Sequence, residues 1–208
     1  MGYTDREQKI IDHAYKKVRA LFEAYPAPAH GLDHAERVAH WAKQIAIAEG
    51  EDVFMSELSA IMHDVGRASE FHDNPEKKRH HELSYDLLRV WFREDEVLKS
   101  LPDEAKMEIL YGVRWHWNDV ADDYMSAIIL RDADKLDVFG QSGIKRLQEF
   151  CAFHPTLDID TDLRFRYHCY YFVRTPKARG LIEKHKMMEP IDAYFQQRNR
   201  SAIVPCEL

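Results

Sequence analysis

Apolar residues recur at three- and four-residue intervals along almost the whole chain, and no strand-like alternation persists. Residues 5–24 line up Ile10, Ile11, Ala14, Val18, Leu21 and Phe22 before Pro26, Pro28 and Gly31 break the pattern. Asp33 is placed to cap a second helix, whose stripe of Val38, Trp41, Ala42, Ile45 and Ala46 stops at Gly50. A third helix, about 52–65, carries Phe54, Leu58, Ile61, Met62 and Val65 on one side and Ser56, Ser59 and Ala60 on another, so it reads as central and buried. Residues 66–80, polar and interrupted by Pro75, read as a loop. Helices are predicted over about 81–93, 103–116, 121–137 and 141–153, then a weaker stretch from Pro155 to Pro176 and a last helix over about 177–198, bent at Pro190. The tyrosine-rich run Arg166–Val173 has an extended alternative. The expectation is one all-α domain, a helical bundle over residues 1–208.

Composition sets the class of partner. With 45% hydrophobic and 12% aromatic residues the chain has the means to bury a core. Its 36 acidic against 29 basic residues give a net charge of −7, which argues against a nucleic acid polymer or an anionic membrane as partner. A small phosphate compound in a locally basic pocket remains compatible. Cys151, Cys169 and Cys206 are odd in number and form no CxxC pair, so they offer neither a disulfide framework nor a thiolate zinc site. With no signal core behind a basic start and no long apolar run, the expectation is a cytoplasmic protein.

Four segments put imidazoles or carboxylates on faces that the periodicity assigns to the core. His34 opens the second helix, seven residues before Trp41. His63-Asp64 ends the buried third helix, and Asp132, Asp134 and Asp137 crowd six residues of an otherwise apolar helix. His80-His81-Glu82 begins the helix after the loop, with His116 late in the next one. Taken singly, each has an ordinary reading as a cap, a chance dipeptide or a solvated face. Together they point elsewhere, because an unpaired buried carboxylate costs several kcal/mol, about what pairing or a metal ion must offset. Two His and two Asp mix borderline nitrogen with hard oxygen donors, a combination suited to Mn, Fe, Zn or Ni rather than Ca. Such a centre supports metal-assisted hydrolysis.

The order His34, then His63-Asp64, then Asp134 resembles the H…HD…D signature of the HD-domain metal-dependent phosphohydrolases. A small bacterial subgroup is similar over more of the chain: His30, His34, Arg37 and Val38; His-Asp-x-Gly; His81-Glu82-x-Ser84; His116; Asp-Ala-Asp-Lys-Leu-Asp followed by Gly140; and Thr175, Ala178 and Arg179, with His185 and Met188 beyond. The likeness runs from about residue 25 to 195, with the signature core at about 25–140 and helices over 141–208 packing on it. It implies an all-α fold and a divalent metal (Mn, Fe, Ni, Co, Zn or Mg) held by His34, His63, Asp64 and Asp134. It further implies hydrolysis of a phosphoester or phosphoanhydride in a small metabolite, with a nucleotide as the favoured class. A phosphodiesterase of signalling nucleotides and a nucleotide- or partner-binding module without turnover are the competing readings. Members with more histidine ligands hold two metals, and His81 and His116 are the residues here that would complete such a site. A phosphate contact or proton-donor role is favoured for both, since no further carboxylate is evidently placed to bridge two ions.

Asp64 adjoins a ligand histidine and is expected to act in catalysis as well as in binding. Arg37, Lys135 and, less directly, Arg67 are the cations available for charge developing on a phosphoryl group, with an ordinary ion pair as the alternative for Arg37 and Lys135. Asp137 reads as structural, so its loss is expected to leave activity largely intact. Trp115 and Trp117 flank His116, and core packing is favoured over a base-stacking wall. Lys77, Lys78 and Arg79 form a short basic patch ahead of the histidines, suited to guiding a single anion. The number of associating chains stays open, a homodimer included.

Overall fold

The computed structural model describes residues 2–70, 72–154 and 156–202, so Pro155 and Cys206 lie outside what can be described. The described residues form helices and turns without a strand. In chain order the α-helices are α1 (Asp5–Ala24), α2 (Leu32–Glu49), α3 (Val53–Met62), α4 (Arg67–Glu70), α5 (His80–Glu94), α6 (Asp103–Trp115), α7 (Met125–Val138), α8 (Gly140–Phe153), α9 (Ile159–Cys169), α10 (Pro176–Lys184) and α11 (Glu189–Ala202). Short 3-10 turns stand at Leu98–Ser100 and Tyr170–Phe172.

Helix α3 is the axis of the molecule. Asp52 caps it by accepting from the Met55 N–H at 2.9 Å, and every residue from Phe54 to Met62 is buried. Leu58, Ile61 and Met62 are fully covered, each contributing about 2 kcal/mol of apolar burial. Helices α1, α2, α6 and α7 pack around α3, and α5 packs on α6. The buried Glu57 on α3 accepts from Tyr3 and Tyr15 and pairs with Lys43 at 2.9 Å, which ties α1 and α2 to the axis. The C-terminal helices add to the same core through Leu147, Leu163, Leu181, Ile182 and Ile191.

Several local expectations change. Gly31, not Asp33, is the N-cap of α2. Asp33 lies inside the first turn, where its carboxylate suits the helix N-terminus and meets Arg37 at 2.9 Å. The third helix ends at Met62 rather than continuing to 65, so His63 and Asp64 stand in the turn beyond it. The 66–80 loop contains the one-turn α4. The Arg166–Val173 run is helical and 3-10 rather than extended, because Asp158 caps α9 through the Thr161 N–H and starts a helix that runs into this stretch. The last predicted helix is two helices, α10 and α11. Pro190 occupies the first turn of α11, where its missing N–H costs nothing. No helix among the described residues is long and apolar enough to cross a membrane.

Candidate metal centre

The helix ends converge at the bottom of α3. His34 comes from the first turn of α2, His63 and Asp64 from the turn after α3, His80 from the start of α5, His116 from the C-cap of α6 and Asp134 from α7. They fall into two groups of donor atoms. In the first, the His34 Nε2 lies 3.3 Å from the His63 Nε2 and 3.4 Å from the Asp134 Oδ1. In the second, the His80 and His116 Nε2 atoms are 3.2 Å apart, and each is 3.6 Å from the Asp64 Oδ1. Asp64 belongs to both, since its Oδ2 is 3.7 Å from the Nε2 of His34 and of His63.

The ring orientations are fixed from behind. The His63 Nδ1 donates to the Ala60 carbonyl at 2.7 Å and the His116 Nδ1 to the Val113 carbonyl at 2.8 Å. The His34 Nδ1 donates to the Asp137 carboxylate at 2.7 Å. A carbonyl or carboxylate only accepts, so each of these three rings carries its proton on Nδ1 and presents a lone pair at Nε2. Two facing lone pairs at 3.3 Å cannot hydrogen-bond each other. They are the ligand–ligand spacing around one small cation, whose nitrogen ligands sit about 2.1 Å away.

The electrostatics agree. Burial lowers the basicity of His34, and it pushes His116 down to about 4 and His80 down to about 2, so these imidazoles are neutral and ready to ligate near pH 7. Burial alone raises the Asp64 carboxyl, but the attraction of the groups around it, the adjacent His63 ring first and then the Arg67 guanidinium, outweighs that and holds it well below the usual carboxylate range. Its Oδ1 is buried with no hydrogen-bond donor among the described residues. A buried anionic oxygen without a donor is an unmet requirement that a cation satisfies. The residues present therefore fit divalent metal. The opening faces Asp134, whose side chain is 27% exposed while those of His34, His63 and Asp64 are at most 3% exposed.

His34, His63, Asp64 and Asp134 thus come together as the sequence suggests, and His116 joins them. His81 does not. The partner of His116 is His80, one residue earlier, because the first turn of α5 turns His80 toward Asp64 and leaves His81 facing Trp117 at 5.5 Å between ring centroids. Asp64, already one of the expected ligands and not a further carboxylate, divides its two oxygens between the two groups. Only the folded turn shows that division.

The nominated cations are occupied. Arg37 donates to Asp137 through Nε at 2.6 Å and to Asp33 at 2.9 Å. Lys135, largely buried, is spent on Asp119. Arg67 reaches furthest into the centre, meeting Asp64 at 3.3 Å and Glu70 at 2.7 Å. In the 77–79 patch, Lys78 pairs with Glu76 and Asp86. Asp137 is structural in a stronger sense than expected. It is 1% exposed, receives His34, Arg37 and Arg146, and its carboxyl is driven up by burial yet brought down to about 2 by His34 and Arg37. Asp132, the third carboxylate of α7, accepts from the backbone N–H groups of Arg174 and Thr175 and from the Thr175 hydroxyl, which anchors the start of α10. Trp115 and Trp117 are 36% and 50% exposed, so they are not core residues.

Comparison with known proteins gives the family and the fold. The family model described as the HD domain matches residues 31–138, just over half of the chain. No curated protein matches the chain. Among solved structures, Bacillus subtilis YpgQ in complex with ADP has a TM-score of 0.68 at 20% identity, covering 97% of this chain and 98% of its own. A predicted HD superfamily hydrolase from an uncultured Thermotogales bacterium gives 0.65 at 21% identity, with 91% of each chain covered. An HD-superfamily hydrolase from Bacillus thuringiensis gives 0.67 at 19% identity, covering 93% of this chain and 98% of its own. At such identities the likeness is one of fold, and it extends through the C-terminal helices beyond the family model. With the matched segment running from the cap of α2 to the end of α7 and so enclosing His34, His63, Asp64 and Asp134, the chain belongs to the HD domain family.

Proposed function

We propose that this protein is a divalent-metal-dependent phosphohydrolase with two adjacent ion sites, His34, His63 and Asp134 forming one, His80 and His116 the other, and Asp64 shared between them. The single observation that carries the proposal is Asp64 itself, a buried carboxylate whose two oxygens face two separate sets of imidazole nitrogens. Divalent ions held there supply an electrophile for phosphoryl oxygens and acidify water toward neutral pH. The protein's own part is to hold the donors in place. Asp137, Ala60 and Val113 fix three imidazoles through Nδ1, so little reorganisation is needed when substrate arrives. Arg67, braced by Glu70, brings a fixed guanidinium beside Asp64, where it can meet a phosphoryl oxygen at the exposed edge. Lys135 and Arg37 support the centre indirectly, by holding Asp119 and Asp137.

The substrate class proposed is a small phosphorylated metabolite, a nucleotide first. The net charge of −7 disfavours a polymer, and a relative of the same fold, YpgQ, has been seen with ADP. The test joins elemental analysis of the dialysed protein to a screen of nucleotides and other phosphorylated metabolites with Mn, Ni, Co and Mg. The expected outcome is up to two ions per chain, metal-dependent release of phosphate or pyrophosphate, and metal content halved in His80→Ala but unchanged in His81→Ala. Full metal content in His80→Ala would remove the second site, and no turnover of any phosphate ester or anhydride would remove the hydrolytic reading.

A further inference from the structure

Trp117 lies in the 116–124 segment between α6 and α7, and half of it is exposed. Trp115, Trp117 and Val120 are all exposed within six residues of chain, and an exposed apolar cluster of this kind marks a contact site. The surroundings of Trp117 are specific. One face lies against the buried His81 ring, centroids 5.5 Å apart and planes tilted by 31°. His81 in turn lies 5.3 Å from the ring of His80 and 6.3 Å from that of His116. Two ring steps therefore lead from the proposed second ion site to the Trp117 ring. Trp115 is a second neighbour, its ring centroid 6.1 Å away and its plane inclined by 45°. Trp115 also lines a groove of about 630 Å³ between α5 and α6, where the Arg114 guanidinium sits 5.6 Å from its ring. Open space thus adjoins the ring pair.

The segment that carries Trp117 is held with unusual expense. It contributes one apolar core side chain, Ala121. In return α7 commits two buried cations to it: Arg131, only 2% exposed, donates to the Ala121 carbonyl and to Asp122 at 3.0 Å, and Lys135 pairs with Asp119. Arg174 adds a further contact to Asp122 at 3.1 Å. Burying an arginine and a lysine is costly unless they are fully paired, and here the pairing fixes a surface segment rather than the core. That is the arrangement of a rigid platform, whose stacking partner meets no ordering cost.

We propose that Trp117, backed by His81 and flanked by Trp115, is the stacking platform for the heterocyclic base of the substrate, and so sets a preference for nucleotides over phosphate compounds without a base. The inference rests on the hydrolytic reading for the nature of the substrate. A nucleotide with its phosphates at the ion centre spans the two ring steps to Trp117, and every base offers a π-face, so the platform selects for a base without selecting which one.

The test compares the best nucleoside triphosphate of the eight common ribo- and deoxyribonucleotides with tripolyphosphate, which has the same phosphates and no base. Trp117→Ala should raise KM for the nucleotide while kcat changes little, and the ratio of kcat/KM between nucleotide and tripolyphosphate should fall about 5- to 150-fold, the range of one stacked base. Trp117→Phe should restore most of that ratio, and the Tm of both variants should match wild type because the side chain is half exposed. An unchanged ratio in Trp117→Ala, or a wild-type enzyme that does not discriminate between the two substrates, overturns the platform. If no phosphate compound is turned over, the hydrolytic reading fails separately. The platform is then judged by equilibrium binding of the same nucleotide with Mg, which should weaken by the same factor in Trp117→Ala and recover in Trp117→Phe; equal binding by all three overturns it.

Discussion

Asp137 shows how far a residue's role depends on what lies behind it. By residue type it is one more acidic side chain in α7, and it is displaced from Asp134 by about one turn along the helix axis. In the fold it receives the His34 Nδ1 at 2.7 Å and both Arg37 and Arg146. Asp137→Asn should therefore weaken metal binding about 10- to 100-fold, the usual cost of losing a carboxylate behind a ligand histidine, with titration calorimetry as the measurement. Retained affinity would return Asp137 to the minor role read from sequence. A second residue-scale prediction concerns pH. His116 is held down to about 4 and His80 to about 2 by burial, against about 6.5 for a free imidazole. Above pH 6.5 neither state binds a proton there. Below it the unfolded chain takes up protons that the folded protein refuses, so the stability of the metal-free protein declines as pH falls from 6.5 toward 4. His116 alone accounts for about 2 kcal/mol at pH 5 at about 1.4 kcal/mol per pH unit. Melting of metal-free protein at pH 7.5 and pH 5 should show a drop of about 4–8 °C from this group alone. The depressed carboxylate of Asp137 acts in a lower window, where stability is lost as pH falls below 3.8 toward 2. A melting temperature flat between pH 7.5 and 5 would mean that these imidazoles are not held neutral by burial.

Among the helices, the decisive contact is the crossing of the turn after α3 with the first turn of α5. The Gly66 N–H donates to the Ser84 hydroxyl at 2.8 Å. A Cβ at Gly66 would stand 2.3 Å from both the His80 carbonyl oxygen and the Ser84 nitrogen, both backbone atoms that cannot swing aside. The glycine of His-Asp-x-Gly is therefore required by close approach and not by backbone conformation. It lets α5 come near enough for His80 to face Asp64. Gly66→Ala should displace α5, cost about 3 kcal/mol, and remove the ion bound by His80 and His116 more completely than the one bound by His34, His63 and Asp134. Metal stoichiometry measured beside thermal unfolding checks this. Full stoichiometry at unchanged stability would show that α5 has room to retreat. The same crossing explains Ser84, whose hydroxyl serves as the acceptor for a buried backbone N–H.

Taken whole, the molecule does not end its functional architecture at the boundary of the family model. Arg146 of α8 donates to the Asp137 carboxylate, to its carbonyl at 3.0 Å and to the Ala29 carbonyl at 2.7 Å, so a C-terminal helix braces the segment that leads into α2 and His34. Ile144, Leu147, Leu163, Leu181, Ile182 and Ile191 extend the core outward from α7 and α2. A chain cut after Phe139 leaves their apolar partners uncovered and Asp137 short of a cation. It should aggregate or fail to bind metal, as judged by light scattering and elemental analysis. A soluble, metal-loaded 1–139 fragment would show that α8–α11 are an accessory layer.

Periodicity alone carried the all-α class, the bounds of α1 and α5–α8 to within a few residues, and the core faces, because burying a helix requires one apolar stripe and that stripe is written along the chain. The order of His34, His63-Asp64 and Asp134 carried the family and one set of candidate ligands. The choice of His80 over His81 depended on the angle at which α5 enters, and adjacent residues on a helix point about 100° apart, so one residue of difference in entry reverses their roles. The two-sided use of Asp64 lay in the turn after α3, whose geometry is set by the approach of α5 at Gly66. The exposure of Trp115 and Trp117 followed from α6 ending at Trp115 and from Arg131 and Lys135 holding the next segment on the surface. In each case the missing information is a contact between segments distant in sequence. Local patterning decides which face of a helix is buried, whereas only the packed tertiary structure decides which side chains meet across it.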